Sequence, residues 1–133
     1  MQLHPDNCRI LAEGLDHPEC VAVGPDGMLY AGGEAGQVYQ VTPQGESRQI
    51  ATTGGFILGL AVDGHHAIHA CDCGASTVYR ISPDGQVAAR STGLPDRPLA
   101  TPNYPVFDAK GNLYVSESGD YWQRPGNGFI CRI

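Results

Sequence analysis

Apolar positions along this chain come in short, partly alternating runs rich in Val, Ile, Leu and Tyr, and no run is long. Turn-forming Gly, Pro and Asp separate them, which is the pattern of β-strands joined by tight turns. No stretch sustains the 3.6-residue period of an amphipathic helix. The pattern therefore predicts an almost entirely β protein. It also repeats. The first copy is HPECVAVGPDGMLYAGGEAGQVYQVTPQG from His17 to Gly45, and the second is FILGLAVDGHHAIHACDCGASTVYRISPDG from Phe56 to Gly85. The third is PNYPVFDAKGNLYVSESGDYWQRPGNGFICRI from Pro102 to Ile133. Each copy holds an apolar strand, a Gly-containing turn, and a second strand carrying an aromatic or His (Tyr30, His69, Tyr114). A loop and a third strand follow (Val38–Val41, Val78–Ile81, Ile130–Ile133).

A fourth strand is predicted after the first two copies, over Arg48–Thr53 and Val87–Thr92. The third copy lacks one, and a similar segment stands instead at Cys8–Leu15. Repeats of about 40 residues with four strands each are β-propeller blades. The expected fold is therefore all-β, three four-stranded blades in a single half-propeller domain over residues 1–133. The blades cover about 17–53, 56–92 and 102–133, with 8–15 as a closing outer strand. Closed propellers need about four to eight blades, and unpaired β-edges invite association. Two readings follow: a piece of a longer polypeptide, or a symmetric homodimer that closes a six-bladed ring. In the second, Arg132 and Ile133 of one chain pair with Cys8–Leu15 of the other.

Composition narrows the function classes. Hydrophobic residues make up 41% and charged residues 17% of the chain, so neither a disordered nor a membrane-spanning protein is expected. No apolar run approaches the length of a transmembrane helix, and the first residues have neither the basic nor the apolar region of a secretory leader. The formal net charge of −6 leaves no excess of Lys and Arg to neutralise phosphates, so no nucleic acid is expected as a partner. The five cysteines, at 8, 20, 71, 73 and 131, lack the even spacing of a disulfide framework. They read as reduced thiols of a cytoplasmic protein. Cys71-Asp72-Cys73 has no second cluster to complete a structural zinc site.

Three segments carry a family resemblance: His17-Pro18-Glu19-Cys20-Val21-Ala22-Val23, Gly59-Leu60-Ala61-Val62-Asp63, and Asn103-Tyr104-Pro105-Val106-Phe107-Asp108 with Gly111-Asn112-Leu113-Tyr114-Val115. Their order resembles the N-terminal half of the senescence marker protein/gluconolactonase/luciferin-regenerating enzyme family of six-bladed propellers. The resemblance implies a divalent cation on the central axis, most often calcium with zinc as the alternative, and hydrolysis of a lactone or related ester there. It places Glu19 as a metal ligand and Asn103 as a contact to substrate or to metal-bound water, and both are candidate catalytic residues. The repeat aligns them as well: Glu19, Leu58 and Asn103 each stand two residues before the matched positions Val21, Leu60 and Pro105. Oxygen donors of this kind suit a hard cation. His17, Leu58, Tyr104 and Trp122 are expected to line the pocket. The family's later-blade Asn and Asp ligands have no counterpart in these residues, and Thr101 stands where the family often has Arg. NHL-type repeats share the same cadence, so the alternative is a non-catalytic binding or scaffold propeller.

Other residues have structural readings. His65 and His66 occupy a turn, and His69 replaces the tyrosines of the sister repeats as a packed ring. Asp72, Glu117 and Asp120 read as solvated loop acids. Tyr121-Trp122-Gln123-Arg124 lies in an insertion expected to form a lid or part of a dimer seam.

Overall fold

The computed structural model describes residues 8–120 and 123–133. The first sheet has four strands: β1 (Val21–Val23), β2 (Leu29–Gly32), β3 (Gln37–Val41) and β4 (Ser47–Thr52). The second is built likewise from β5 (Ile57–Val62), β6 (Ile68–Asp72), β7 (Thr77–Ile81) and β8 (Val87–Ser91). A two-stranded ribbon follows, β9 (Gly93–Leu94) with β10 (Arg97–Pro98). The third sheet has three strands: β11 (Pro102–Phe107), β12 (Leu113–Glu117) and β13 (Phe129–Arg132). Within each sheet the strands pair antiparallel in chain order. The expected strands match within a residue or two. Segment 8–15 forms no strand, and β13 has no neighbour on its outer edge among the described residues. No helix is long and apolar enough to cross a membrane among those residues.

The turn between first and second strands shows how one local rule makes the repeat. Asp63 Oδ1 accepts hydrogen bonds from the His65 and Ala67 amides, at 2.8 and 2.9 Å. Asp108 Oδ1 does the same for Lys110 and Asn112. Aspartate favours this because its side chain mimics a turn of backbone. The turn also needs one left-handed residue, supplied by Gly27 (φ 79°) and Gly111 (φ 82°). In the second repeat that position is His66, at φ 63°.

The remaining oxygen of each aspartate holds the second strand's ring. Asp108 Oδ2 accepts from Tyr114 Oη at 3.3 Å, and Asp63 Oδ2 lies 3.1 Å from His69 Nε2. His69 is thus the packed stand-in for tyrosine that the sequence predicts, fully buried with its ring edge-on to Phe107 at 5.0 Å.

Alternation then builds the core between sheets. Tyr30, Val38 and Ala22 of the first sheet pack on Leu60, Ile68, Ala70 and Ile81 of the second. Cys71 and Val78, on the opposite face of the second sheet, pack on Leu113, Val115 and Phe107 of the third. Close approach matters here. A Cβ on Gly32 would stand 2.3 Å from Ile57 Cγ2, so only glycine fits.

Candidate functional site

The first strands of the three sheets, β1, β5 and β11, lie next to one another in that order. Their starts lie at one end of the sheets, with His17 near Phe56 and Gly59 against Asn103. Glu19 sits just ahead of β1, while Leu58 and Asn103 each occupy a break in register, between Ile57 and Gly59 and between Pro102 and Tyr104. A β-bulge leaves a residue outside the ladder and re-aims its side chain. Leu58 and Asn103 are therefore released from the pleat that fixes their neighbours, while Glu19 lies outside the ladder of β1.

The two bulges also interlock. A Cβ on Gly59 would lie 2.4 Å from the Asn103 carbonyl oxygen, so the bare glycine lets the third sheet's bulge rest on the second. Asn103 Nδ2 donates to Ser118 Oγ at 3.1 Å. That bond orients the amide, and Oδ1 makes no hydrogen bond to a described residue.

Glu19 is held differently. His17 Nε2 lies 3.2 Å from Glu19 Oε1, and its Nδ1 lies 2.9 Å from Glu34 Oε2. The imidazole bridges two carboxylates, with the backbone of His17 in the left-handed region at φ 39°. The hydrogen bond and charge of Glu34, followed by the charges of Glu19 and Asp16, hold the His17 pKa above its ordinary value. The sequence places His17 beside Glu19. It gives no signal for Glu34, which the β2–β3 turn brings back from the next loop.

The remaining predicted residues divide. Leu58 is half-buried. Tyr104 is on the outer face of the third sheet, with Val106, Tyr114, Ser116 and Ile130. Trp122, like Tyr121, lies outside the described residues.

Asp72 and Glu117 are not solvated loop acids. They end β6 and β12 and are buried. Asp72 Oδ1 accepts from the Phe56 and Ala75 amides, at 2.8 and 2.9 Å. Glu117 Oε1 accepts from the Thr101 and Gly119 amides, both at 2.7 Å. Each acid thereby fastens the chain that enters its sheet's first strand to the loop that leaves the second. Burial next to loop amides, which need acceptors, is the reason they point inward.

Among the described residues no group of three or more His, Cys, Asp or Glu is placed to hold a metal ion. Glu19 and Asn103 are of the right chemistry for a hard cation, but calcium takes about six to eight oxygens. Burial pushes the Cys71 thiol well above its ordinary range.

Comparison with known proteins fits this geometry. A family model for the strictosidine synthase-like N-terminal region matches residues 6–41. A gluconolactonase from Xanthomonas campestris superposes with a TM-score of 0.79 at 18% identity, over 92% of this chain and 46% of that one. The fold is that of β-propeller blades. A second structure, described as a putative gluconolactonase, gives a TM-score of 0.76 at 16% identity over 93% of this chain and 47% of its own. A PQQ-bound aldose sugar dehydrogenase from Streptomyces coelicolor gives 0.70 at 22%, over 94% and 46%. The chain thus spans about half the length of the structures it resembles, and no curated protein matches it in sequence.

Proposed function

We propose that this gluconolactonase-like propeller binds a divalent cation at a site formed by Glu19 and Asn103, calcium before zinc, and hydrolyses a lactone or related ester there. What supports the reading is that Glu19 and Asn103 match in the sequence repeat, with Asn103 in a bulge of its sheet's first strand and Glu19 just ahead of its own. A cation held there would polarise a carbonyl and lower the pKa of bound water.

The chain's own groups have definable parts in this. Glu19 contributes the carboxylate, and His17, itself held by Glu34, orients it. Asn103 presents its free Oδ1, while Ser118 fixes the amide plane. Leu58 offers an apolar surface to the carbon skeleton of a small ligand. The setting we propose is the cytoplasm, where the five cysteines would stay reduced.

The test is calcium titration by calorimetry together with hydrolysis of a lactone panel, with and without added calcium or zinc. Calcium-dependent turnover that disappears in Glu19→Ala supports the hydrolase. Calcium binding without turnover across the panel refutes it in favour of a non-catalytic binding propeller. Absence of any metal response in the wild type removes the site altogether.

A further inference from the structure

We infer that the two end faces of this chain are docking surfaces for a second copy of itself, with residues 8–15 of each copy serving as the fourth strand of the other's third sheet. The inference is independent of the proposed chemistry. It rests on how the internal interfaces repeat at the ends.

On the second sheet, the face buried against the first is made by Leu60, Val62, Ile68, Ala70 and Ile81. The first sheet carries Val21, Val23, Leu29, Ala31 and Val41 at the same register positions, one for one. That face meets no sheet, and Val21 and Val23 are 61% and 66% exposed. The third sheet's outer face repeats the opposite type. Val106, Tyr114 and Ile130 stand where the first sheet has Ala22, Tyr30 and Val38, which bury themselves on the second. Val106 and Ile130 are 53% and 75% exposed. One end therefore presents the surface that the other end is shaped to cover.

Segment 8–15 adds a second, independent observation. Between the first two sheets, the carbonyl of Ile50 on β4 lies over Gly85, 3.0 Å from where its Cβ would be. The carbonyl of Leu11 lies over Gly45 in the same way, at 2.1 Å. Gly45 and Gly85 are matching turns, so Leu11 occupies the place of Ile50 in a preceding sheet. The segment forms no strand of its own but runs where the outer fourth strand of a preceding sheet would lie. Among the described residues the third sheet has no fourth strand.

A second copy supplies that sheet, and two-fold symmetry makes both junctions alike. The superposed propellers are about twice this chain's length, at 46% and 47% coverage. By analogy with Tyr39 opposite Gln49, Cys131 of one copy then faces Ile10 of the other.

Sedimentation equilibrium of the 133-residue chain is expected to give twice its 14.1 kDa mass. A single-chain mass, or any multiple other than two, overturns the inference. Ile10→Cys, oxidised, is expected to run as a two-chain band on a denaturing gel without reductant, and the band to vanish when Cys131→Ser is added. A dimer whose Ile10→Cys variant forms no such band overturns the strand exchange. Val23→Asp and Ile130→Asp change exposed side chains, so each is expected to keep the β circular dichroism and sediment as one chain. Both remaining dimeric would overturn the assignment of the faces. None of these readouts requires metal or turnover.

Discussion

Replacing Asp72 by alanine or by asparagine separates an acceptor's contribution from a charge's. Asp72 is fully buried, and its Oδ1 is the shared acceptor for the amides of Phe56 and Ala75. Alanine leaves both amides without a partner. An unsatisfied buried donor costs about 1–3 kcal/mol. Both amides belong to half-buried residues, which puts each near the low end and the pair at about 2–4 kcal/mol in all. Asparagine keeps an oxygen where Oδ1 stands and removes a negative charge whose other oxygen, Oδ2, has no hydrogen-bond partner. Weaker neutral bonds and relief of a buried charge then oppose each other, so a change within about 1 kcal/mol is expected. Urea unfolding followed by circular dichroism, at one protein concentration, measures both variants. Equal losses for alanine and asparagine would refute the argument, because the charge and not the acceptor would then hold the loop.

Three further outcomes follow from the geometry. Gly59→Ala is expected to weaken calcium binding at least tenfold with smaller loss of fold, because its methyl would displace the Asn103 carbonyl at the bulge; calorimetry checks it. His66→Gly is expected to stabilise by about 0.5–1 kcal/mol, since it relieves a left-handed side-chain residue at a turn where the sister repeats use glycine; a rise in urea midpoint measures it. Thermal stability is expected to fall as pH drops below 6.5. Burial holds His69 below that value in the folded state, so protonation favours the unfolded chain there. Asp63 adds a further loss as pH falls below 3.8. Burial pushes its carboxyl up, but hydrogen bonds from His69 and two amides outweigh it and leave its folded pKa lowered. Exposed His17, with a raised pKa, contributes in the opposite sense, present below 6.5 and lost as pH rises through its folded value. Melting midpoints across pH should lose their slope just below 6.5 in His69→Tyr, and an unchanged slope would dismiss His69 as the cause.

The repeat was legible because strand periodicity and turn chemistry are local. Pro-x-Gly turns and alternating Val, Ile and Tyr announce strands at the right places, and aligned copies expose His69 as a substitute for Tyr30 and Tyr114. What stayed hidden is set by neighbours distant in sequence. Asp72 and Glu117 look like loop acids until a neighbouring loop brings amides to them. The β9–β10 ribbon has too few residues to show a period. Glu34 joins Glu19 only through the ring of His17. The bulges at Leu58 and Asn103 also escape pattern reading, because a single unpaired residue shifts register without changing composition. Yet one clue was present. Gly59 follows Leu58 in a strand interior, where glycine commonly marks a bulge or close backbone approach.

The sheets touch mainly in chain order, the first with the second and the second with the third. Energetically the chain is close to a one-dimensional stack, in which each unit's stability depends on its own strength and on its immediate neighbour. Such a chain is expected to fold without waiting for distant ends to meet. A fault in the first sheet reaches the third only through the second. In the proposed dimer the second copy docks after that, as a concentration-dependent event on already folded units.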